Sequence, residues 1–294
     1  MLRLVKAEMY KMFKSRLFKV LCGVAIALSM VCIGFTQMMN EDFMKSTLGD
    51  MPEEQKEQMI QEVQNMGASD AIVTPGKLGF TTTGAKDQFN ITPEELFHVS
   101  FGSGIIEILF VILVAGLCAK EYSQGTIKNT LAYGKKREEF YISKFIAITA
   151  GTAIIMALMT SISTIVRVIL YSGPVPLTIS QLSGMLGVFA GALVVNASIV
   201  ALVMVFATLI KSNGATIGLG SVIFLIVPTI AGFLYGNYDW FDKIYELTPF
   251  YNTALATSIN ATSSDVMTAA MVGGITCILA LGVGIAIFKK QDIK

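Results

Sequence analysis

The sequence predicts an all-α integral membrane protein, and two features of the chain lead to that prediction. Of the 294 residues, 53% are hydrophobic and only 15% are charged, and the mean hydropathy is +0.64. A soluble globular domain carries about 25% charged residues, so this chain is too apolar to face water on all sides. Its apolar residues are also concentrated in six runs, each close to the roughly 20 residues that a helix needs to cross a bilayer.

The six runs are the predicted transmembrane helices. In chain order they are residues 17–36, 101–119, 145–171, 182–210, 215–235 and 266–288. The first run follows a basic N-terminus, as the apolar core of a signal peptide would. It is longer than the roughly 7–15 residues of such a core, and no A-x-A cleavage site follows it. We therefore expect an uncleaved first helix.

The distribution of lysine and arginine predicts which loops face the cytoplasm. These residues are concentrated before the first span, between the second and third spans, and after the sixth, whereas residues 37–100 contain four lysines against eleven acidic residues. Cytoplasmic loops of membrane proteins carry an excess of lysine and arginine. Both termini are thus predicted to be cytoplasmic, and the segments 37–100 and 236–265 extracellular. The expected location is the plasma membrane of a bacterium.

The N-terminal segment, residues 1–16, predicts a basic amphipathic helix. Its apolar residues, among them Leu2, Met12 and Phe13, recur at helical spacing, and its lysines and arginines lie largely elsewhere on the helix. Such a helix suits the inner membrane interface, although a simple extension of the first span is the alternative.

Four further helix starts are predicted outside the apolar runs. Residues 50–53 and 92–95 have the composition of helix N-termini, and we expect the second membrane helix to begin at the latter. The segment 236–265 contains Trp240 and several other aromatic residues, and Pro249 follows Thr248. It predicts two short helices that dip toward the outer leaflet, forming a helical hairpin.

The sequence lacks common catalytic and nucleotide-binding motifs. It contains no G-x-x-x-x-G-K-[ST] phosphate loop, no H-E-x-x-H and no G-x-S-x-G, and His98 is its single histidine, expected at a surface or interface. We therefore expect a chain that is not an enzyme and holds no cofactor itself. A net charge of +1 gives nucleic-acid binding no electrostatic support. The spacing of the four cysteines favours neither a metal site nor a disulfide framework.

Three polar residues within the predicted spans are candidate intramembrane sites: Glu107, Arg167 and Asn196. Glu107 and Arg167 are expected at similar depths near the outer ends of their spans. They could form an ion pair, either functional or merely locking two helices, or Arg167 could extend outward to the headgroups. Asn196 lies in mid-span, where it would line a substrate path or hydrogen-bond a neighbouring helix.

Glycine and proline predict two further features of the spans. The pairs Gly187/Gly191 and Gly214/Gly218 would permit close approach of neighbouring helices. Pro228 interrupts the fifth span and is expected to kink it.

The polar stretch between the second and third spans has a specific pattern. Gly125 and Gly134 bracket residues 126–133, enough for about two helical turns, and Ile127 and Leu131 share one face of such a helix. This predicts a short cytoplasmic helix on the membrane surface, which Gly134 would end. Its exposed apolar residues would fit a groove in another protein.

The same stretch resembles the coupling-helix region of ABC-2-type permeases, the membrane subunits of ATP-binding-cassette exporters. In that family the segment reads E-x-x-x-G-T-hydrophobic-x-x-x-L, followed by a basic turn and the third helix. Here EYSQGTIKNTL begins at Glu121 and is followed by Gly134 and Lys-Lys-Arg. The basic N-terminal helix, the six spans and the hairpin before the last span also fit the family. The acidic first outer loop is similar to that of permeases linked to bacterial peptide export, antibiotic resistance and lantibiotic immunity.

The resemblance implies a half-transporter. Two permease subunits, identical or different, would form the pathway for ATP-driven export of an amphiphilic substrate such as a peptide or antibiotic. Two separate ABC ATPase subunits would hold the ATP and Mg²⁺. The residues implied in ATPase docking are Glu121, Gly125, Thr126, Ile127, Lys128, Asn129, Thr130 and Leu131, with Glu121 pairing to a basic residue of the ATPase. The alternatives are an ATP-independent secondary transporter or channel, and a peptide-sensing membrane subunit.

Overall fold

The computed structural model describes residues 1–38, 41–49, 51–67, 72–127, 136–171 and 177–291. These residues form an all-helical fold, with about 80% of them in helices. Over the described ranges it has no strand, apart from one isolated antiparallel bridge between Gly79 and Ser103. Five of the helices in the described ranges are long and apolar enough to cross a membrane, which is compatible with a multi-pass membrane protein.

The described helices are, in chain order, α1 (Leu2–Lys14), α2 (Arg16–Met38), α3 (Glu41–Thr47), α4 (Glu53–Gly67), α5 (Pro93–Val99), α6 (Ile105–Val114), α7 (Lys120–Ser123), α8 (Arg137–Leu170), α9 (Ile179–Ile210), α10 (Asn213–Leu234), α11 (Asp239–Glu246), α12 (Pro249–Thr257) and α13 (Ser263–Lys290). A π-helix, Ala115–Ala119, joins α6 to α7. The five long apolar helices are α2, α8, α9, α10 and α13. They coincide with the first predicted span and with the third to the sixth.

The predicted second span is helical but is not one regular α-helix. It runs from Ile105 to Ser123 as α6, the π-helix and α7. The expected start at Thr92 is a real helix start, because Thr92 and Glu95 form a capping box. The expectation that the second membrane helix begins there is nevertheless wrong. That helix, α5, ends at Val99, and two glycines with positive φ, Gly102 at 56° and Gly104 at 81°, turn the chain before α6.

The helices form two groups that meet along α6. Helices α1, α2 and α5 pack on α8, while α9 and α12 pack on α13, and the contact between α9 and α13 is the most extensive. Helix α6 and the π-helix touch both groups and α10. This central position explains why α6 is apolar apart from Glu107: Phe110, Val111, Leu113 and Val114 are all fully buried. A helix that is hydrophobic all round belongs in an interior.

Glycine permits the closest contact between α9 and α13. A Cβ on Gly273 would lie 2.8 Å from the Cα of Val195, so a larger residue there would push the two backbones apart. Of the two predicted glycine pairs, only Gly191 meets another helix, at Val266. The other three members lie beside open space, with nothing within 4 Å of an added Cβ: Gly187, Gly214 and Gly218.

Several helices predicted outside the spans are confirmed. Helix α4 begins at Glu53, and α11 and α12 are the two short helices of the 236–265 segment. The Thr248 side chain caps α12 by accepting a hydrogen bond from the Tyr251 N–H, with Pro249 as the first helical residue. Pro228 lies inside α10, as expected.

The N-terminal helix forms, but its buried face differs from the predicted apolar stripe. Helix α1 packs along α8 and buries Leu4, Glu8 and Met12, which are four residues apart. Leu2 and Phe13, expected on the same face as Met12, are exposed. A carboxylate therefore replaces an apolar residue in the middle of the buried face.

Candidate functional site

Four charged side chains meet where α1, α7 and α8 converge, and we call them the charged cluster: Glu8, Lys11, Glu121 and Lys144. The Lys144 side chain is only 3% exposed. Its Nζ lies 2.8 Å from Glu8 Oε2 and 2.9 Å from Glu121 Oε2. Lys11 Nζ lies 2.6 Å from Glu8 Oε1 and 3.5 Å from Glu121 Oε1. Each carboxylate therefore contacts both ammonium groups, and the charges of the cluster cancel.

The π-helix supplies the third partner of Lys144. Lys120 N–H donates to Ala115 O, five residues back, as a π turn requires. Within this segment the Leu117 carbonyl accepts a hydrogen bond of 2.8 Å from Lys144 Nζ. An ammonium group has three donors, so Glu8, Glu121 and Leu117 together satisfy Lys144 completely. Short π turns inside helices frequently mark functional sites.

The electrostatics of the cluster keep Glu8 ionised. Burial by itself raises the pKa of the Glu8 carboxyl, but the charge of Lys144 and the hydrogen bonds from Lys11 and Lys144 outweigh it and hold the pKa below its ordinary value. A buried ion pair is weak evidence for stability, because apolar residues in its place are often equally stable. Removing one partner alone is costly. The cluster therefore fixes the relative positions of three helices rather than adding much to the free energy of folding.

The first residues of the predicted coupling segment follow Glu121 directly, and the structure describes them as far as Ile127. Helix α7 ends at Ser123, and the chain turns at Gly125, whose φ of 67° is left-handed. An added Cβ there would meet no atom within 4 Å, so the backbone angle, not lack of space, favours glycine. Thr126 is exposed, and its N–H donates to Glu121 O at 3.2 Å.

The expectation that Ile127 is exposed for a partner groove is wrong. Its side chain is 2% exposed and packs in the main hydrophobic core, because the turn at Gly125 directs it back into the protein. The remaining members of the predicted docking set lie outside the described residues, as does the expected helix end at Gly134: Lys128, Asn129, Thr130 and Leu131.

The chain that returns from this segment is anchored to the end of α13. Arg137 Nη1 donates to three backbone carbonyls there, those of Phe288, Lys289 and Gln291, at 3.2, 2.9 and 2.6 Å. These carbonyls have no partner inside their own helix, so Arg137 caps α13. The N-terminal amine lies 3.8 Å from Glu139 Oε2. Both ends of the described chain thus lie beside the start of α8.

The two charged residues predicted within spans do not pair with each other. Arg167 donates to Ile91 O at 2.6 Å and to Asn90 Oδ1 at 3.0 Å, and its guanidinium lies over the ring of Tyr171. The segment before α5 thereby supplies hydrogen-bond acceptors for the Arg167 guanidinium, which does not pair with Glu107 on α6. Glu107 is buried beside a small cavity, and its Oε2 has no hydrogen-bond partner among the described residues. The ion pair, one of the alternatives that the sequence left open for these two residues, does not form.

Asn196 bonds within its own helix instead of joining two helices. It is fully buried, and its Nδ2 donates to Ala192 O at 2.9 Å, while Oδ1 has no partner in the described part of the chain. His98 is half-buried, and its Nδ1 lies 3.1 Å from Thr257 O. His98 therefore joins α5 to the end of α12, in agreement with an interface position.

Sequence reasoning identified Glu121 but missed its partners. Glu8 and Lys144 are 136 residues apart, and Lys144 counted only as one more cation of a basic loop. One signal was available: Glu8 is the only acidic residue among the first forty.

Comparison with known families gives one match. The model of a family described as a protein of unknown function, DUF2705, matches residues 59–294. The matched region contains Glu121 and Lys144 but begins after Glu8 and Lys11. No curated protein matches the chain.

Proposed function

The chain belongs to the DUF2705 family of proteins of unknown function, and we propose that it is the permease subunit of an ATP-binding-cassette exporter. In this proposal six helices cross the plasma membrane, both termini are cytoplasmic, and two ABC ATPase subunits bind at the coupling segment, residues 120–140. The charged cluster carries the proposal. It joins the helix that enters the coupling segment to the helix that leaves it, and joins both to α1.

The run from Ile105 to Ser123, second in chain order, is proposed to cross the membrane in addition to the five long apolar helices. Its 19 residues (105 to 123) would rise about 28 Å at roughly 1.5 Å per residue, close to the roughly 30 Å of a bilayer core. With six crossings both termini lie on one side. The contacts of Met1 with Glu139 and of Arg137 with Gln291 support this arrangement.

The proposed mechanism uses the cluster as a rigid joint. Closure of two ATPase subunits around ATP and Mg²⁺ would push on the coupling segment. Because Lys144 holds Glu121 and the Leu117 carbonyl, α7, the π-helix and α8 would move together, and α6 would carry the displacement into the centre of the bundle. A pathway between this chain and a second permease subunit, of the same or another sequence, would then open outward for an amphiphilic substrate such as a peptide or antibiotic.

Within this mechanism Glu121 has a transmitting role. Both of its carboxylate oxygens face lysines of its own chain, Oε2 toward Lys144 and Oε1 toward Lys11. We therefore assign ATPase contact to the exposed residues around Thr126, and assign Glu121 to the joint behind them.

One observation favours a second candidate, an ATP-independent, proton-linked transporter. Glu107 is a buried carboxylate with one unpartnered oxygen beside a cavity. Ionisable groups within membrane helices often belong to proton pathways. The described spans hold few other such groups, and for this reason the ATP-driven function is preferred.

Site-specific photo-crosslinking in native membranes tests the proposal. A photoreactive phenylalanine analogue replaces Thr126, and the matched control replaces Tyr238, which is also exposed but lies on the 236–265 segment. We expect Thr126 to crosslink to a protein that contains a phosphate loop, and Tyr238 not to. Equal crosslinking at the two positions, or an ATPase at neither, would refute ATPase docking at this segment.

A further inference from the structure

A cleft of about 700 Å³ opens between α9 and α13 near their N-termini, at the other end of the molecule from the charged cluster. The two helices approach closely at Val195 and Gly273 and again at Gly191 and Val266, and the latter two residues line the cleft. Gly184 and Gly187 form part of the wall, and an added Cβ on either would meet nothing within 4 Å. The glycines leave the cleft open.

The lining of the cleft is apolar between the helices and polar at one side. Val188, Val194, Val266 and Met267 are among its apolar residues. The polar side chains are Glu94, His98, Ser180, Ser183 and Ser263. A volume of this size lies within the roughly 300–1,000 Å³ of small-molecule sites. The arrangement matches a molecule with one polar end and one apolar end.

The charge at the polar side is negative. The Glu94 carboxylate accepts a hydrogen bond of 2.6 Å from Gln181 Nε2, and none of the described lysines or arginines forms an ion pair with it. Burial lowers the pKa of His98, because it disfavours the charged ring more than the contact with the Thr257 carbonyl and the charge of Glu94 favour it. The described lining contains no lysine or arginine. Glu94 therefore leaves a negative charge that a ligand can neutralise.

We propose that this cleft binds an amphiphile with a cationic head group, with the ammonium at Glu94 and the apolar chain against the glycines of α9. Charge complementarity selects the head group, because an ammonium–carboxylate contact is a strong, charge-assisted hydrogen bond. The missing side chains of Gly184 and Gly187 make the space for the chain. The site does not depend on the proposed ATPase, and its test uses this protein alone.

The test is saturation binding of tritiated dodecylamine to the full chain, purified in a nonionic maltoside. We expect saturable binding near one molecule per chain, displaced by unlabelled dodecylamine but not by the same concentration of dodecanol. Glu94→Gln should weaken binding about tenfold or more, the loss of one charge-assisted contact. Gly187→Leu should abolish binding by filling the cleft.

Gly218→Leu is the matched control, because Gly218 is also a helical glycine with open space around its Cβ but lies on α10. It should bind like the wild type. Absence of saturable binding to the wild type, displacement by dodecanol as effective as by dodecylamine, or unchanged binding in Glu94→Gln and Gly187→Leu would each overturn the proposal. A wild type that fails to bind, and whose self-association is lost in Gly187→Leu, would identify the cleft as an interface between two copies.

Discussion

Replacing Lys144 with methionine should destabilise the protein strongly, because it removes one partner from a buried charged cluster. Methionine keeps a flexible apolar chain of similar length but has no donors. The Glu8 and Glu121 carboxylates would then share only Lys11, and the Leu117 carbonyl would lose the hydrogen bond it accepts from Lys144. Breaking a buried pair by removing one partner costs about 3–5 kcal/mol. Since Lys11 still neutralises part of the charge, we expect the lower end, about 3 kcal/mol.

The assay is the thermal midpoint of aggregation in mild detergent, followed by size-exclusion chromatography. At about 2 °C per kcal/mol for a chain of this size, Lys144→Met should lower the midpoint by about 6 °C. Lys45→Met is the matched control. Lys45 and Glu41 form an ion pair of 2.6 Å in which both side chains are about half exposed, and a solvent-screened pair of this kind contributes little to stability.

A triple variant distinguishes the stability lost through an uncompensated buried charge from the role of the cluster in positioning the three helices. Glu8→Gln, Glu121→Gln and Lys144→Met together leave no buried charge uncompensated, so most of the lost stability should return. A Lys144→Met midpoint within about 1 °C of the wild type, or a triple variant no more stable than the single one, would refute our reading of the cluster.

Three further predictions follow from individual residues. Glu107→Gln should leave the thermal midpoint unchanged or raise it, because it replaces a buried carboxylate that has an unpartnered oxygen; a clear decrease would mean that the charge has a partner we have not identified. Gly125→Ala should strain a left-handed residue by about 1–2 kcal/mol and uncouple ATP hydrolysis from transport, with membrane insertion intact; unchanged transport per ATP in proteoliposomes would contradict that role. Glu8 has a lowered pKa in the folded state, so its stabilisation is present above its unfolded pKa, about 4.5, and is lost as the pH falls through the lower, folded value. The midpoint difference between wild type and Glu8→Gln should therefore shrink from pH 7 toward pH 4, and a difference that grows would contradict it.

The sequence was informative where a single physical property decides the structure. Long apolar runs gave five of the predicted spans, because a helix in a membrane needs only length and hydrophobicity. Caps were equally readable: Thr92 and Thr248, each followed by proline, begin α5 and α12 as expected. These features depend on neighbours in the chain and not on distant contacts.

The features that sequence reasoning missed depend on contacts across the fold. The break between α5 and α6 follows from Gly102 and Gly104, whose positive φ no hydropathy average detects. The π-helix at Ala115–Ala119 leaves the apolar run unbroken, so composition gives no sign of it. Ile127 looked exposed because it lies in a polar stretch, and only the turn at Gly125 buries it.

Only part of the charged cluster could be predicted from the sequence, because its other members are brought together by contacts across the fold. Glu121 stood out within a local motif, whereas Glu8 and Lys144 acquire their meaning from each other across 136 residues. A lone acidic residue in a basic segment was the available clue. Its partner could not be chosen among the many lysines without the packing of α1 on α8.

Affinity purification of the full chain from its native membrane in mild detergent, with quantitative mass spectrometry, tests the central claim most directly. Our account predicts an ATPase subunit with a phosphate loop at one copy per permease chain, retained in the triple variant of the charged cluster because that variant leaves the docking residues in place. If no ATPase accompanies the wild-type chain, even after crosslinking at Thr126, the chain is not the permease of an ATP-binding-cassette exporter.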